Sequence, residues 1–266
     1  MSDREGNIVV QSAEDLWRMG TRRNFLKALG IGGSIMLMPS VFAACDSDSD
    51  GDITGPNGSV SLNLSTDVGI LNYAFALEQL EAAFYTAVVA SAAFSGMTSE
   101  QKEVMTDLRA HEVAHREFLR AALGANAIGN LALNGATVAA ATASTAAILK
   151  NAEAFEDLGV SAYNGAGKYL QDANYLLLAG KIVSVEARHA AAIRDLREGL
   201  SLAGTATGTR FAGDDVVNAQ GLDVKLEPAS VLSRVVATNL VTTSISIGTA
   251  PTITAATPDA PPPATP

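Results

Sequence analysis

Two Glu-x-x-His pairs stand out among the side chains able to do chemistry: Glu112-Val113-Ala114-His115 and Glu186-Ala187-Arg188-His189, which use two of only three histidines. Residues at i and i+3 share one face of a helix, so each pair can aim a carboxylate and an imidazole at one ion. Ahead of each pair stands a glutamate followed seven residues later by a tyrosine, Glu78 with Tyr85 and Glu156 with Tyr163. Seven residues are two helical turns, which puts each Tyr over the same face as its Glu. The chain thus repeats one pattern twice, Glu-x6-Tyr and then Glu-x-x-His. Four carboxylates and two imidazoles in that arrangement are the ligand set of a two-ion iron or manganese site in a helical bundle. Two divalent cations would balance four carboxylates that otherwise repel one another in a dry interior.

The same residues admit other readings. Glu81, one turn after Glu78, and Glu153, one turn before Glu156, are alternative ligands; Glu78 and Glu156 are preferred because both keep the spacing to a tyrosine. Tyr85 and Tyr163 are either core aromatics or hydrogen-bonding neighbours of the metals. His111-Glu112-Val113-Ala114-His115 also matches the zinc-peptidase motif, two His at i, i+4 with a general-base Glu. That chemistry needs a third protein ligand, and no Asp, Glu or His lies between Phe118 and Asn151. It also leaves Glu186 and His189 unexplained. The Asp46 to Asp52 stretch lacks the spacing of a calcium loop, and no Gly-rich phosphate loop joins a strand to a helix.

The elements that must position these residues are helices. Apolar residues recur at helical spacing from Asp67 to about Phe94, with Thr66 or Asp67 as cap. Thr98 and Gln101 have capping-box spacing, and a second helix runs to about Leu123. The short joint between the two makes them antiparallel neighbours. Residues 124–142 are uncharged and too long for a tight hairpin. A third helix follows from about Thr145 to Asn164 and a fourth from about Tyr169 to Glu198. Two hairpins joined by one long crossover give an all-α four-helix bundle over residues 61–200, followed by a C-terminal extension over 201–247. Residues 45–60 read as a flexible linker, and 248–266, rich in Pro, Ala and Thr, as a disordered tail.

Composition narrows the function. The 266 residues carry 28 acidic and 18 basic side chains, a formal charge of −10, which argues against a nucleic-acid partner. The single Cys excludes a disulfide framework or a Cys-rich metal site. Arg22 and Arg23 precede Phe25-Leu26-Lys27 and an uncharged run over 28–44, which looks like a twin-arginine export signal. Cys45 falls where that run stops, after Val41-Phe42-Ala43-Ala44, and resembles a lipobox cysteine; plain cleavage after Ala43 is the alternative. The expectation is a periplasmic or envelope protein attached to the membrane through a lipid on Cys45.

Leu77 to Tyr85, His111 to Leu119, Phe155 to Tyr163 and Ser184 to Arg194 resemble the ferritin-like domain proteins related to plant desiccation-related proteins, and more distantly rubrerythrin, bacterioferritin and manganese catalase. The resemblance covers about residues 61–245. It implies a ferritin-like bundle holding two Fe or Mn ions, with dioxygen, peroxide or ferrous ion as small substrates in a ferroxidase-like or catalase-like role; self-assembly is open. A non-catalytic envelope stress protein on the same fold is the rival from another class. Storage of iron as a mineral sits badly with a tether and a Pro-rich tail.

Overall fold

Thr66 opens the first long helix by accepting a hydrogen bond from Gly69 N–H, and Asp67 adds a favourable negative charge in the first turn. This helix, α1 (Asp67–Ala90), is apolar nearly all round and buried on most of its surface. An all-round apolar helix belongs at the centre of a fold, and α1 sits there. Its Tyr73, Phe75, Phe84 and Tyr85 are almost wholly excluded from water. The computed structural model describes residues 54–55, 59–199 and 212–250; Arg22, Arg23, Cys45 and the tail beyond Ala250 lie outside the described residues.

Ser91 ends α1 and caps the short α2 (Ala92–Ser95), its hydroxyl accepting from Phe94 N–H, so the first helix stops earlier than the expected Phe94. The Thr98–Gln101 capping box is present in both directions and starts α3 (Ser99–Leu123). A 3₁₀ turn at Gly124–Asn126 opens the crossover. The crossover also holds α4 (Gly135–Ala141), whose cap Asn134 accepts from two backbone N–H groups. Then come α5 (Thr145–Ala166) and α6 (Ala173–Gly199). The last begins after the expected Tyr169, because Gly167–Tyr169 forms a 3₁₀ turn and Asp172 accepts from Asn174 N–H. The fold is an all-α bundle in which α1 packs on α3 and α5 on α6. No helix of the described residues is long and apolar enough to cross a membrane.

Two buried amides on α1 fasten the crossover. Asn72 donates to Asn126 O and accepts from Ile128 N–H; Gln79 donates to Gly129 O and accepts from Leu131 N–H. Both side chains are satisfied on either side, which is what burial of an amide requires.

A small sheet departs from the expected linker and tail. Ser59–Asn63 (β2) pairs antiparallel with Thr54–Gly55 (β1) and parallel with Ile245–Thr249 (β3), Val60 facing Ile245. The expected linker therefore gives way to a strand at Ser59, and Gly248 and Thr249, expected in the tail, belong to β3. Val60, Leu62 and Leu64 alternate inward and are buried. Between α6 and β3 the extension carries α7 (Pro228–Ala237), which packs on α5. Leu226 N–H donates to Ser161 O, and a Cβ on Gly165 would meet Leu226 O at 1.7 Å, so only glycine permits this approach. Arg194 on α6 completes the attachment with charge-assisted bonds to Asp157 on α5 and Asp215 of the extension.

Candidate metal centre

The inward face of the four long helices carries six polar side chains where a core would carry leucine. Glu78 comes from α1, Glu112 and His115 from α3, Glu156 from α5, and Glu186 and His189 from α6. All four carboxylates are fully buried. Burying an ion costs several kcal/mol, and the apolar core around it supplies the offset at about 1.5–3 kcal/mol for each fully buried large side chain. Their atoms form two overlapping sets of four, Glu78, Glu112, His115 and Glu186 in one and Glu112, Glu156, Glu186 and His189 in the other. Within each set the ligand atoms lie within 4.8 Å of one another, and Glu112 and Glu186 belong to both. Such a set can hold a metal ion.

The inward atoms are the ones left without hydrogen bonds. Glu78 Oε2, Glu156 Oε2, both oxygens of Glu112 and Glu186, and Nδ1 of His115 and His189 are buried and unsatisfied. His115 Nδ1 lies 2.9 Å from Glu186 and 3.5 Å from both Glu78 and Glu112. His189 Nδ1 lies 2.8 Å from Glu112 and 3.3 Å from Glu156. Native interiors leave few polar atoms unpaired, so these eight unpaired atoms converging on one space fit a cation rather than a protein partner. Carboxylate oxygens with imidazole nitrogens are the donors that iron, manganese and zinc accept.

The tyrosines fix the outer oxygens. Tyr163 donates to Glu78 Oε1 and Tyr85 to Glu156 Oε1, each at 2.5 Å, the length of a charge-assisted O–H···O⁻ bond. Each therefore serves the glutamate of the other helix. A tyrosine two turns from its own Glu is about 10 Å away along the axis, and the close antiparallel passage of α1 and α5 sets it beside its counterpart instead. With the outer oxygen tied, one oxygen of Glu78 and one of Glu156 face the centre.

Protonation follows from this crowding. Burial, together with Glu112, pushes Glu78 up to about 7 against the pull of His115. Burial and the neighbouring carboxylates raise Glu186 far above the usual range, and burial raises Glu156. Burial alone would raise Glu112 as well, but the two histidines hold it below the ordinary range. Burial opposes a charge on His189, yet Glu112 and Glu156 push it up to about 10; His115 is raised in the same way. Six titrating groups thus share protons in one crowded space, and divalent cations would take the place of those protons.

His111 stands outside both sets. Its Nδ1 lies 2.9 Å from Nε2 of His189, the ring nitrogen turned away from the centre, with the two rings parallel. The zinc-peptidase pairing of His111 with His115 is therefore not formed. His111 instead holds the orientation of His189, the part an outer partner plays for a ligating imidazole. His111→Ala is expected to weaken metal affinity about 10–100-fold, read by competition with a coloured chelator; unchanged affinity would remove His111 from this role. Glu153 is only half-buried and pairs with Arg197 away from the centre. Glu81 is buried beside the centre but belongs to neither set. The contact of His111 with His189 was not legible in the sequence, and nothing in the spacing marked the Arg194 clamp.

Comparison with curated proteins finds no match. A sequence model of the ferritin-like domain matches residues 66–199, the span from the cap of α1 to the end of α6 and just over half of the chain. With the bundle and its buried Glu and His cluster, that match places the chain in the ferritin-like domain family.

Proposed function

We propose that the chain is an exported protein with a two-ion iron or manganese site that reacts with dioxygen or peroxide in ferroxidase-like or catalase-like stress protection. The observation that carries this is the pair of overlapping ligand sets sharing Glu112 and Glu186, each with a histidine of its own. Four carboxylates with two neutral imidazoles carry a charge of −4, which two divalent cations would cancel. Such ions, when bound, supply the electrons that reduce an oxidant. The chain's own residues do the rest. His115 and His189 present Nδ1 to the centre, Glu112 and Glu186 span both sets, and Tyr85 and Tyr163 hold Glu156 and Glu78 against rotation. The aliphatic and aromatic surround keeps bulk water from the carboxylates, so charge changes at the centre are felt strongly by these oxygens.

The twin arginines and Cys45 support export and a lipid anchor in the envelope, and the resemblance of the Leu77–Tyr85 and Phe155–Tyr163 segments supports a desiccation-related branch. The test is a metal count on the purified full chain grown with iron and manganese, followed by ferrous-ion and peroxide consumption. About two ions per chain with turnover of either substrate is the expected result. Two ions without turnover would reduce the site to a structural clamp, and one zinc would sink the two-ion reading.

A further inference from the structure

Three of the five large apolar side chains left exposed among the described residues lie at one end of the bundle. They are Val68 in the first turn of α1, and Leu176 and Leu177 near the start of α6, the last two 49% and 55% exposed. The two helix starts are fastened together, because Asp67 accepts from the backbone N–H groups of Gln171 and Asp172 and the Gln171 side chain donates to Ser65 O. The surface of α6 changes along its length. From Ala173 to Gly180 it has no charged residue, whereas its exposed positions beyond include Lys181, Ser184, Arg188 and Asp195. A lone exposed leucine is ordinary, but adjacent leucines on an uncharged helix start make a patch of the kind that marks a contact surface.

What meets the patch follows from where the anchor joins the fold. Cys45, the lipid attachment point of the reading above, stands nine positions before Thr54, and nine residues span about 30 Å at full extension. Thr54 opens β1 opposite Val60 of β2, and Asn63 at the end of β2 is four positions from Asp67 at the start of α1. The lipid is thus held near the end of the bundle that carries Val68, Leu176 and Leu177. Tethering raises the effective concentration of a surface for its partner to about the millimolar range, so an apolar contact too weak to recruit a free protein suffices for an anchored one. A stable interface between copies takes about 20–30 residues a side, far more than this patch supplies, whereas a bilayer accepts a few apolar side chains without shape matching.

We infer that this end of the bundle rests on the lipid bilayer, with Leu176 and Leu177 set among the headgroups and upper acyl chains. The inference rests on the lipid anchor proposed above and adds an orientation, with α1 and α6 starting at the membrane surface. Asp67 and Asp172, the carboxylates beside the patch, are already engaged by backbone N–H groups.

The test expresses the full chain with its export signal, purifies the lipidated product and places it on phosphatidylcholine vesicles containing a lipid spin-labelled just below the headgroup. A fluorophore is carried on Asn174→Cys, beside the leucines, or on Glu100→Cys at the start of α3, the opposite end of the bundle. Quenching of the label at 174 and none at 100 is the expected result, and Leu176→Ser/Leu177→Ser loses the quenching at 174 while the chain stays on the vesicles. Equal quenching at both positions in vesicle-bound protein overturns the docked orientation and leaves the anchor standing. Shielding of the label at 174 that needs no vesicles and grows with protein concentration gives the patch to a second copy and overturns it too. A product whose mass shows no lipid on Cys45 and which does not float with vesicles overturns the anchor itself, and the orientation with it.

Discussion

Glu186→Met is expected to abolish metal binding and at the same time to stabilise the metal-free protein. Glu186 belongs to both ligand sets, so its loss breaks each of them. In the metal-free chain the same carboxylate is buried and faces Glu112 and Glu78, which together favour its protonated form. Methionine has similar volume and reach, makes no demand for hydrogen bonds and fills irregular gaps. His115 loses a contact at 2.9 Å but keeps Glu78 and Glu112, each at 3.5 Å. Replacing buried charge by a well-packed apolar group commonly gains about 1–4 kcal/mol, worth roughly 2–4 °C of melting temperature per kcal/mol in a domain of this size. Metal analysis with thermal melting of chelator-treated wild type and variant checks both halves. A metal-free variant that melts below the metal-free wild type would mean that Glu186 is held by the fold for a structural reason and that the cluster is not strained toward a cation.

That combination of cost without metal and use with it explains what could be read from sequence and what could not. Glu112 and His115, like Glu186 and His189, share a helix face through local geometry alone, so their cooperation is visible in one dimension. Glu78 and Glu156 were picked out by their distance from a tyrosine, and the structure does bring both to the centre. The bond each tyrosine makes was not legible, because Tyr85 serves Glu156 and Tyr163 serves Glu78 only through the antiparallel crossing of two helices far apart in the chain. His111 meets His189 across the same kind of gap. The helix starts were legible wherever a cap was local, as at Thr66 and Thr98. β2 was not, since its alternation of Val60, Leu62 and Leu64 is short and its partner β3 lies at the other end of the chain. Glu81 stood in the sequence as an alternative ligand one turn from Glu78; the structure buries it outside both sets, against Gly159 of α5, which local pattern does not report.

The metal-free and metal-loaded proteins are expected to respond to pH in opposite directions. In the metal-free chain Glu78, Glu81, Glu156 and Glu186 all have raised values, set first by burial. A carboxyl whose folded value is raised contributes stability that is complete below its unfolded value and lost as pH climbs through the folded one. For Glu78 that window runs from 4.5 to about 7. His115 and His189 are raised too, despite burial, by the carboxylates that face them. The contribution of His189 is complete below 6.5 and lost as pH rises through about 10. Glu112 alone among these clustered carboxylates is lowered, so its contribution is complete above 4.5 and is lost as pH falls below that value. His111, lowered first by burial and then by His189 and His115, contributes a small opposite slope below 6.5. The sum is a metal-free protein most stable in mild acid and progressively weaker toward alkaline pH, by about 10 °C or more in melting temperature between about pH 5 and pH 9. Bound ions reverse the trend, because protons compete with them for Nδ1 of both histidines and for the inward oxygens, so affinity rises with pH. The melting temperatures of loaded and chelator-treated protein should therefore diverge as pH rises. Parallel curves, or a metal-free protein that gains stability between pH 5 and pH 9, would show that the six side chains are not titrating as one crowded cluster and that no cation takes the place of their protons.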